Sequence, residues 1–287
     1  MQPYVLKLQF TEDVDDTSNR KHSEQSLNSI DTANFLQKFI TPPLAELVGT
    51  AILGFINMFL SLQSTNQQLT SAVYDGVITF VLMAVFSNIS GAHFNPVITM
   101  AVGFIGHCRF IIGTLMIFCQ LLGSFLAALL SKALLTDLAF KSTFKYSLAE
   151  DERLLYSNPT QAFFLEILFS FMIACAYLFN GVRTQGRHGQ LCAVNVALTR
   201  SLVTYVGYRT VGHCANMAIS FGDSIATALF LCNSRLWSLL YIAVFADMIG
   251  AFLAALSYCG NMINVGEKNF AFMLLVLLTL PWYLGSD

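Results

Sequence analysis

Two stretches centred on asparagine carry the most suggestive polar chemistry in this sequence. One runs Ser90-Gly-Ala-His-Phe-Asn95-Pro96-Val97-Ile-Thr99, the other Gly212-His-Cys-Ala-Asn216-Met217-Ala218-Ile-Ser220-Phe-Gly222. An asparagine just before an apolar run suits a helix N-cap, because its side-chain oxygen accepts a backbone N–H of the first turn. Its amide NH2 is then left to donate to whatever passes the helix end. Pro96 suits the first helical position, where it has no N–H to leave unpaired. Each asparagine follows a glutamate set in an apolar stretch: Glu46 lies 49 residues before Asn95, and Glu166 lies 50 before Asn216. The glutamates are 120 residues apart and the asparagines 121. Helix N-termini present unpaired N–H groups and a partial positive charge. Two of them facing each other make an electrostatic barrier with hydrogen-bond donors, which is equipment for passage rather than for bond-breaking.

Nothing else in the chain is arranged for catalysis. No Ser/His/Asp set, glycine-rich phosphate loop or metal-ligand spacing is present, so neither cofactor nor metal is called for and an enzyme is not expected. The seven cysteines (108, 119, 175, 192, 214, 232 and 259) mostly fall in or beside apolar runs and read as small buried side chains.

The elements that position these residues follow from composition. Of 287 residues, 55% are hydrophobic and 11% charged. A soluble domain carries about 25% charged residues, so this chain cannot cover its core with a charged surface. The 25 Phe and 10 Tyr exclude low-complexity disorder, and a net charge of −2 gives no footprint for nucleic acid. What remains is a helical protein that passes several times through a lipid bilayer. Six segments are long and apolar enough to span: 42–62, 72–90, 109–131, 161–181, 190–208 and 236–258. Two shorter pieces, about 95–106 and 216–230, each begin at one of the asparagines. They read as re-entrant half-helices, tolerated at membrane depth only where protein or a water-filled cavity surrounds them. Residues 1–40 form a polar N-terminal segment without the apolar core of a leader peptide. Residues 132–160 form a long mixed-charge loop. Residues 259–287 form a tail whose run 270–284 reads as an interfacial or partly inserted helix, anchored by Trp282 and Tyr283. A slight excess of Lys and Arg favours cytosolic termini.

Three spans and a half-helix, repeated once, must insert with opposite orientations. The architecture is an inverted repeat (about 42–131 and 161–258) within a channel domain of residues 41–258. Its half-helices should meet near the bilayer midplane. Small residues in the third and sixth spans (Gly123, Ser124, Ala127, Ala128; Gly250, Ala251, Ala254, Ala255) suit close packing within one subunit.

The segment from Ser90 to Thr99 is very similar to the first signature loop of the aquaporins, the major intrinsic protein family. The segment around Asn216 resembles a degraded second loop, and Gln120-Leu-Leu-Gly123 also fits. The resemblance covers about 42–258. It implies an all-α membrane fold of six transmembrane helices plus two half-helices, and a passive channel for water and small neutral solutes. It also implies a homotetramer, with the plasma membrane favoured over an internal one. Asn95, Pro96, Val97, Asn216, Met217 and Ala218 would form the paired pore motifs. The carbonyls of Gly91, Ala92, His93, Gly212, Cys214 and Ala215 would line the pore. Glu46 and Glu166 would be structural acids accepting N–H groups of the irregular loops. Four filter positions fall at Asp75, Thr204, His213 and Ile219.

Here the sequence departs from the family. An acid, Asp75, stands where an aromatic residue is usual, and Ile219 stands where an arginine is usual. Met217, Asp223 and Asp247 each replace a proline. Losing the arginine and gaining an acid points to weaker rejection of cations and looser selectivity. Arg200 on the fifth span could instead pair with Asp247 or Asp75, leaving the pore closer to neutral. If paired charges plug the lumen, a non-conducting relative with a structural or junctional role is the competing reading. A secondary transporter of inverted-repeat type would need more polar groups along its path than this chain offers.

Overall fold

The computed structural model describes residues 35–62, 68–144, 159–182, 189–207 and 215–262. The chain divides into two units, Met1–Ile40 and Thr41–Asp287. In the first, Leu36–Ile40 form a π-helical turn. In the second, helices cover most of the described residues: α1 Thr41–Leu60, α2 Gln68–Ser90, α3 Pro96–Phe104, α4 Phe110–Leu134, α5 Asp137–Thr143, α6 Pro159–Tyr177, α7 Gly189–Gly207, α8 Met217–Phe230 and α9 Arg235–Met262. A π-helical turn, Leu178–Val182, extends α6.

Lipid explains the helices. Without water, every backbone polar group must be paired within its own segment. Pro42 and Pro43 sit in the first turn of α1. Five helical stretches among the described residues are long and apolar enough to span: Leu36–Leu60, Gln68–Ser90, Phe110–Leu134, Pro159–Val182 and Arg235–Gly260. The fifth expected span corresponds to α7, whose apolar part, Leu191–Gly207, is shorter. Its polar residues turn inward: Asn195 donates to Asn180 Oδ1 at 2.8 Å and Arg200 meets Asp75. Its outer face exposes Leu191, Leu198 and Leu202. The loss of hydropathy is therefore an internal polar seam.

The packing has the symmetry of an inverted repeat. Helix α1 packs on α4 as α6 packs on α9, and α1 packs on α2 as α6 packs on α7. Helix α3 lies against α4 and α9, and α8 lies against the same pair. Several crossings are closed by glycine. A Cβ on Gly123 would stand 2.5 Å from the Leu47 carbonyl of α1, and one on Gly250 2.8 Å from the Ile167 carbonyl of α6. One on Gly76 would stand 2.7 Å from the Ala197 carbonyl of α7, at the junction of the two halves. Such contacts let backbones approach where apolar burial offers no advantage over lipid.

The loop expected over 132–160 contains a helix. Thr136 caps α5, accepting the Ala139 N–H at 3.3 Å. One turn apart, Phe140 and Phe144 bury against Met58, Ala128 and Ala226. An N-cap followed by two aromatic residues at helical spacing outweighs the charges around them. The expected tail helix at 270–284 lies outside the described residues.

Candidate functional site

The site begins at the irregular chain before each half-helix. Helix α2 stops at Ser90, and residues 91–94 run without regular structure to Asn95. Gly91, Ala92 and Phe94 have positive φ (89°, 54° and 46°), and Ala215 matches them at 58° in the second loop. The left-handed region is costly for residues with a Cβ, so surrounding groups must fix it. Glu46 does so in the first loop. Its Oε1 accepts the His93 N–H at 2.9 Å and the Ser90 hydroxyl at 2.5 Å. Its Oε2 accepts the Phe94 N–H at 2.6 Å and the Gln120 amide at 2.7 Å. In the second loop Glu166 accepts the Ala215 N–H at 2.6 Å. Both glutamates are fully buried.

The polar network runs on from Glu46. Gln120 also donates to Thr99 Oγ1 at 2.9 Å, and Thr99 lies 3.1 Å from His93 Nδ1. The Thr99 hydroxyl donates to the Asn95 carbonyl at 3.3 Å. The His93 ring stands edge-on to Tyr177, with centroids 5.0 Å apart.

Asn95 and Asn216 cap the two half-helices. Asn95 Oδ1 accepts the Val97 N–H at 3.0 Å, and Asn216 Oδ1 accepts the Ala218 N–H at 3.1 Å. Their NH2 groups cross over: Asn95 donates to the Ala215 carbonyl at 2.6 Å and Asn216 to the Phe94 carbonyl at 3.1 Å. The two helix ends therefore meet. Of the two hydrogens on each NH2, expected to serve a passing solute, one ties the opposite loop and the second keeps its capacity to donate. Two of the carbonyls expected to line the pore have protein partners. Gly91 O accepts the Tyr177 hydroxyl at 2.9 Å, and Ala215 O takes the Asn95 amide. Sequence gave no signal for Tyr177, whose contact spans 86 residues. Gly212, His213 and Cys214 lie outside the described residues.

Beside the two caps is a cavity of about 20 Å³. A water molecule needs roughly 10–15 Å³ on that measure, so one fits. Asn95, Asn216, His93, Thr79 and Arg200 form its polar lining, with Leu53, Met83, Phe94, Ile98, Ile173 and Val196 as the apolar part. Asp75, Thr204 and Ile219 do not line it. Asp75 Oδ2 accepts Arg200 Nε at 2.8 Å and the Thr204 hydroxyl. The Ile219 side chain packs toward Gly54 of α1, where its Cδ1 would stand 3.2 Å from an added Cβ. Of the two acids the sequence offered Arg200, Asp75 is the partner, and it is half of a buried ion pair. Asp247 feels the charge of Arg200 without replacing Asp75 as its ion-pair partner. It accepts the Ser170 hydroxyl and faces the Met217 backbone N–H. Among the described residues no group of His, Cys, Asp or Glu could hold a metal ion.

The sequence matches the model of the family described as Major intrinsic protein over residues 30–258, well over half the chain. The chain belongs to the major intrinsic protein family. Aquaporin-8 of Notomys alexis is 23% identical over 214 residues, 73% of this chain and 80% of that one. The probable aquaporin NIP-type of Nicotiana alata is 27% identical over 247 residues, 84% of each. Among solved structures, the aquaglyceroporin from Plasmodium falciparum superposes with a TM-score of 0.66 at 16% identity, covering 79% of this chain and 99% of that one. That likeness establishes the fold. As a major intrinsic protein, the chain is a multi-pass membrane protein and a channel for water or small solutes.

Proposed function

We propose that the chain conducts water and small neutral solutes passively and in single file, with Asn95 and Asn216 as the donors at the narrowest polar point. The observation that carries this is the reciprocal pair of bonds between the two capped helix ends, beside a cavity that both asparagines line. Opposed N-termini place two partial positive charges at one spot, which repels cations and favours oxygen acceptors. The apolar residues opposite give a solute no reason to stay. Pairing of Asp75 with Arg200 leaves the region near neutral, which suits uncharged permeants. The reading extends to a homotetramer in the plasma membrane with both termini cytosolic.

Reconstitution in proteoliposomes tests it. Vesicles with the protein should shrink faster than empty ones under an osmotic step, with or without glycerol or urea as the permeant. Asn216→Leu should slow them towards the empty-vesicle rate. One observation favours a second reading, a non-conducting structural relative: the cavity has room for a single water and both caps are cross-tied. Inserted protein that shrinks no faster than empty vesicles would decide for that reading.

A further inference from the structure

We propose that Arg200 is the specificity-determining residue for charge, a fixed cation supplied to the passage from α7 rather than from the first turn of α8. This rests on the channel reading above and adds the group that excludes ions.

Arg200 is 5% exposed and lines the cavity together with Asn95 and Asn216. Its Nε is anchored to Asp75 Oδ2 at 2.8 Å, and the same oxygen takes the Thr204 hydroxyl. Thr79, another lining residue, donates to the Asp75 backbone carbonyl at 2.8 Å. The guanidinium is therefore anchored by a buried carboxylate, which the Thr204 hydroxyl also binds. Asp75, at 2% exposure, is not part of the cavity wall.

That order of charges sets the sign of the field. Coulomb energy falls with distance, so a solute in the cavity meets the nearer guanidinium before the carboxylate behind it. The pair acts as a dipole with its positive end inward, adding to the positive ends of α3 and α8. Ile219, packed towards α1, has no charge to contribute.

The test uses the full chain in proteoliposomes, reading osmotic shrinkage and potassium leak from the same preparation. The native protein should shrink vesicles faster than empty controls while leaking no more potassium than they do. D75N/R200Q removes both charges and keeps hydrogen-bonding groups. Its ratio of potassium leak to shrinkage rate should rise at least about tenfold, since the guanidinium stands nearer a solute than the carboxylate that offsets it and tenfold asks only about 1.4 kcal/mol of that dipole. Arg200→Lys keeps the charge and should leave the ratio near the native value. If D75N/R200Q is not recovered in the vesicles, D75L/R200M takes its place with the same expectation, because an apolar pair commonly replaces a buried ion pair without loss of fold. An unchanged ratio in the neutral variant, an equal rise in Arg200→Lys, or a potassium leak in the native protein overturns the assignment while the channel reading stands. Native vesicles shrinking no faster than empty ones overturn the channel reading and this assignment together.

Discussion

Glu46 takes four donors on two carboxylate oxygens, from Ser90, His93, Phe94 and Gln120. Only an ionised carboxylate can accept all four, since an amide turns one acceptor into a donor. Glu46→Gln should therefore set an NH2 group against an N–H and lose about 3 kcal/mol, at the upper end for charge-assisted bonds. The expected result is a marked fall in the temperature at which detergent-solubilised protein aggregates. Glu46→Ala should be no milder. The positions of the asparagines and glutamates were legible because their spacing repeats in the two halves. Tyr177, Thr99 and the crossed asparagine amides were not, because they join residues far apart in sequence and no local pattern marks them. For Arg200 the sequence offered two acids as partners, and only the positions of α2 and α7 decide for Asp75.

The elements show how a departure at one position is matched at another. Helix α3 starts with Pro96, whereas α8 starts with Met217, which brings back a backbone N–H. That N–H faces the carboxylate of Asp247 on α9, itself bonded to Ser170 of α6. Two replaced prolines thus stand as neighbours. Met217→Pro and Asp247→Leu should each destabilise alone. Together they should cost less than the sum, with a coupling of about 1–2 kcal/mol, within the range for residues in contact. Thermal aggregation of the four proteins of the cycle measures it, and strict additivity would remove the interaction. Glycines give a second check. Gly123→Leu and Gly250→Leu force α4 off α1 and α9 off α6, where even a Cβ comes within 2.5 Å and 2.7 Å of neighbouring atoms. Each should cost about 3 kcal/mol or abolish the folded yield. Gly103→Ala in α3, with nothing within 4 Å of an added Cβ, should be neutral or stabilising. Spans and half-helices were legible from apolar length. Helix α5 was not, because its two-phenylalanine seam is too short to stand out among charges, and α7 was blurred by the polar residues it turns inward.

At the scale of the molecule, the inverted repeat dictates which side of the membrane each end of a half-helix reaches. Helix α3 follows two spans and returns to the side it came from, so Cys108 should lie on the side of the N-terminus. Helix α8 follows five spans and enters from the other side, so Cys232, just past its C-terminal end, should lie opposite. Both positions reach the surface, Cys232 more fully than Cys108. Single-cysteine variants keeping one or the other, labelled with a membrane-impermeant maleimide on intact cells, should react only at Cys232. Permeabilised cells should react at both. Labelling at Cys108 needs a longer exposure or a higher pH, because burial, and after it the charge of Glu46, push its thiol above the ordinary value and lower the thiolate fraction. Labelling of both residues from outside would place the two half-helices on one face. An odd number of spans per repeat could not then hold, and the meeting of Asn95 with Asn216 at the midplane would lose its geometric basis. Labelling of Cys108 alone would keep the repeat and reverse its orientation, moving the 1–40 segment out of the cytosol.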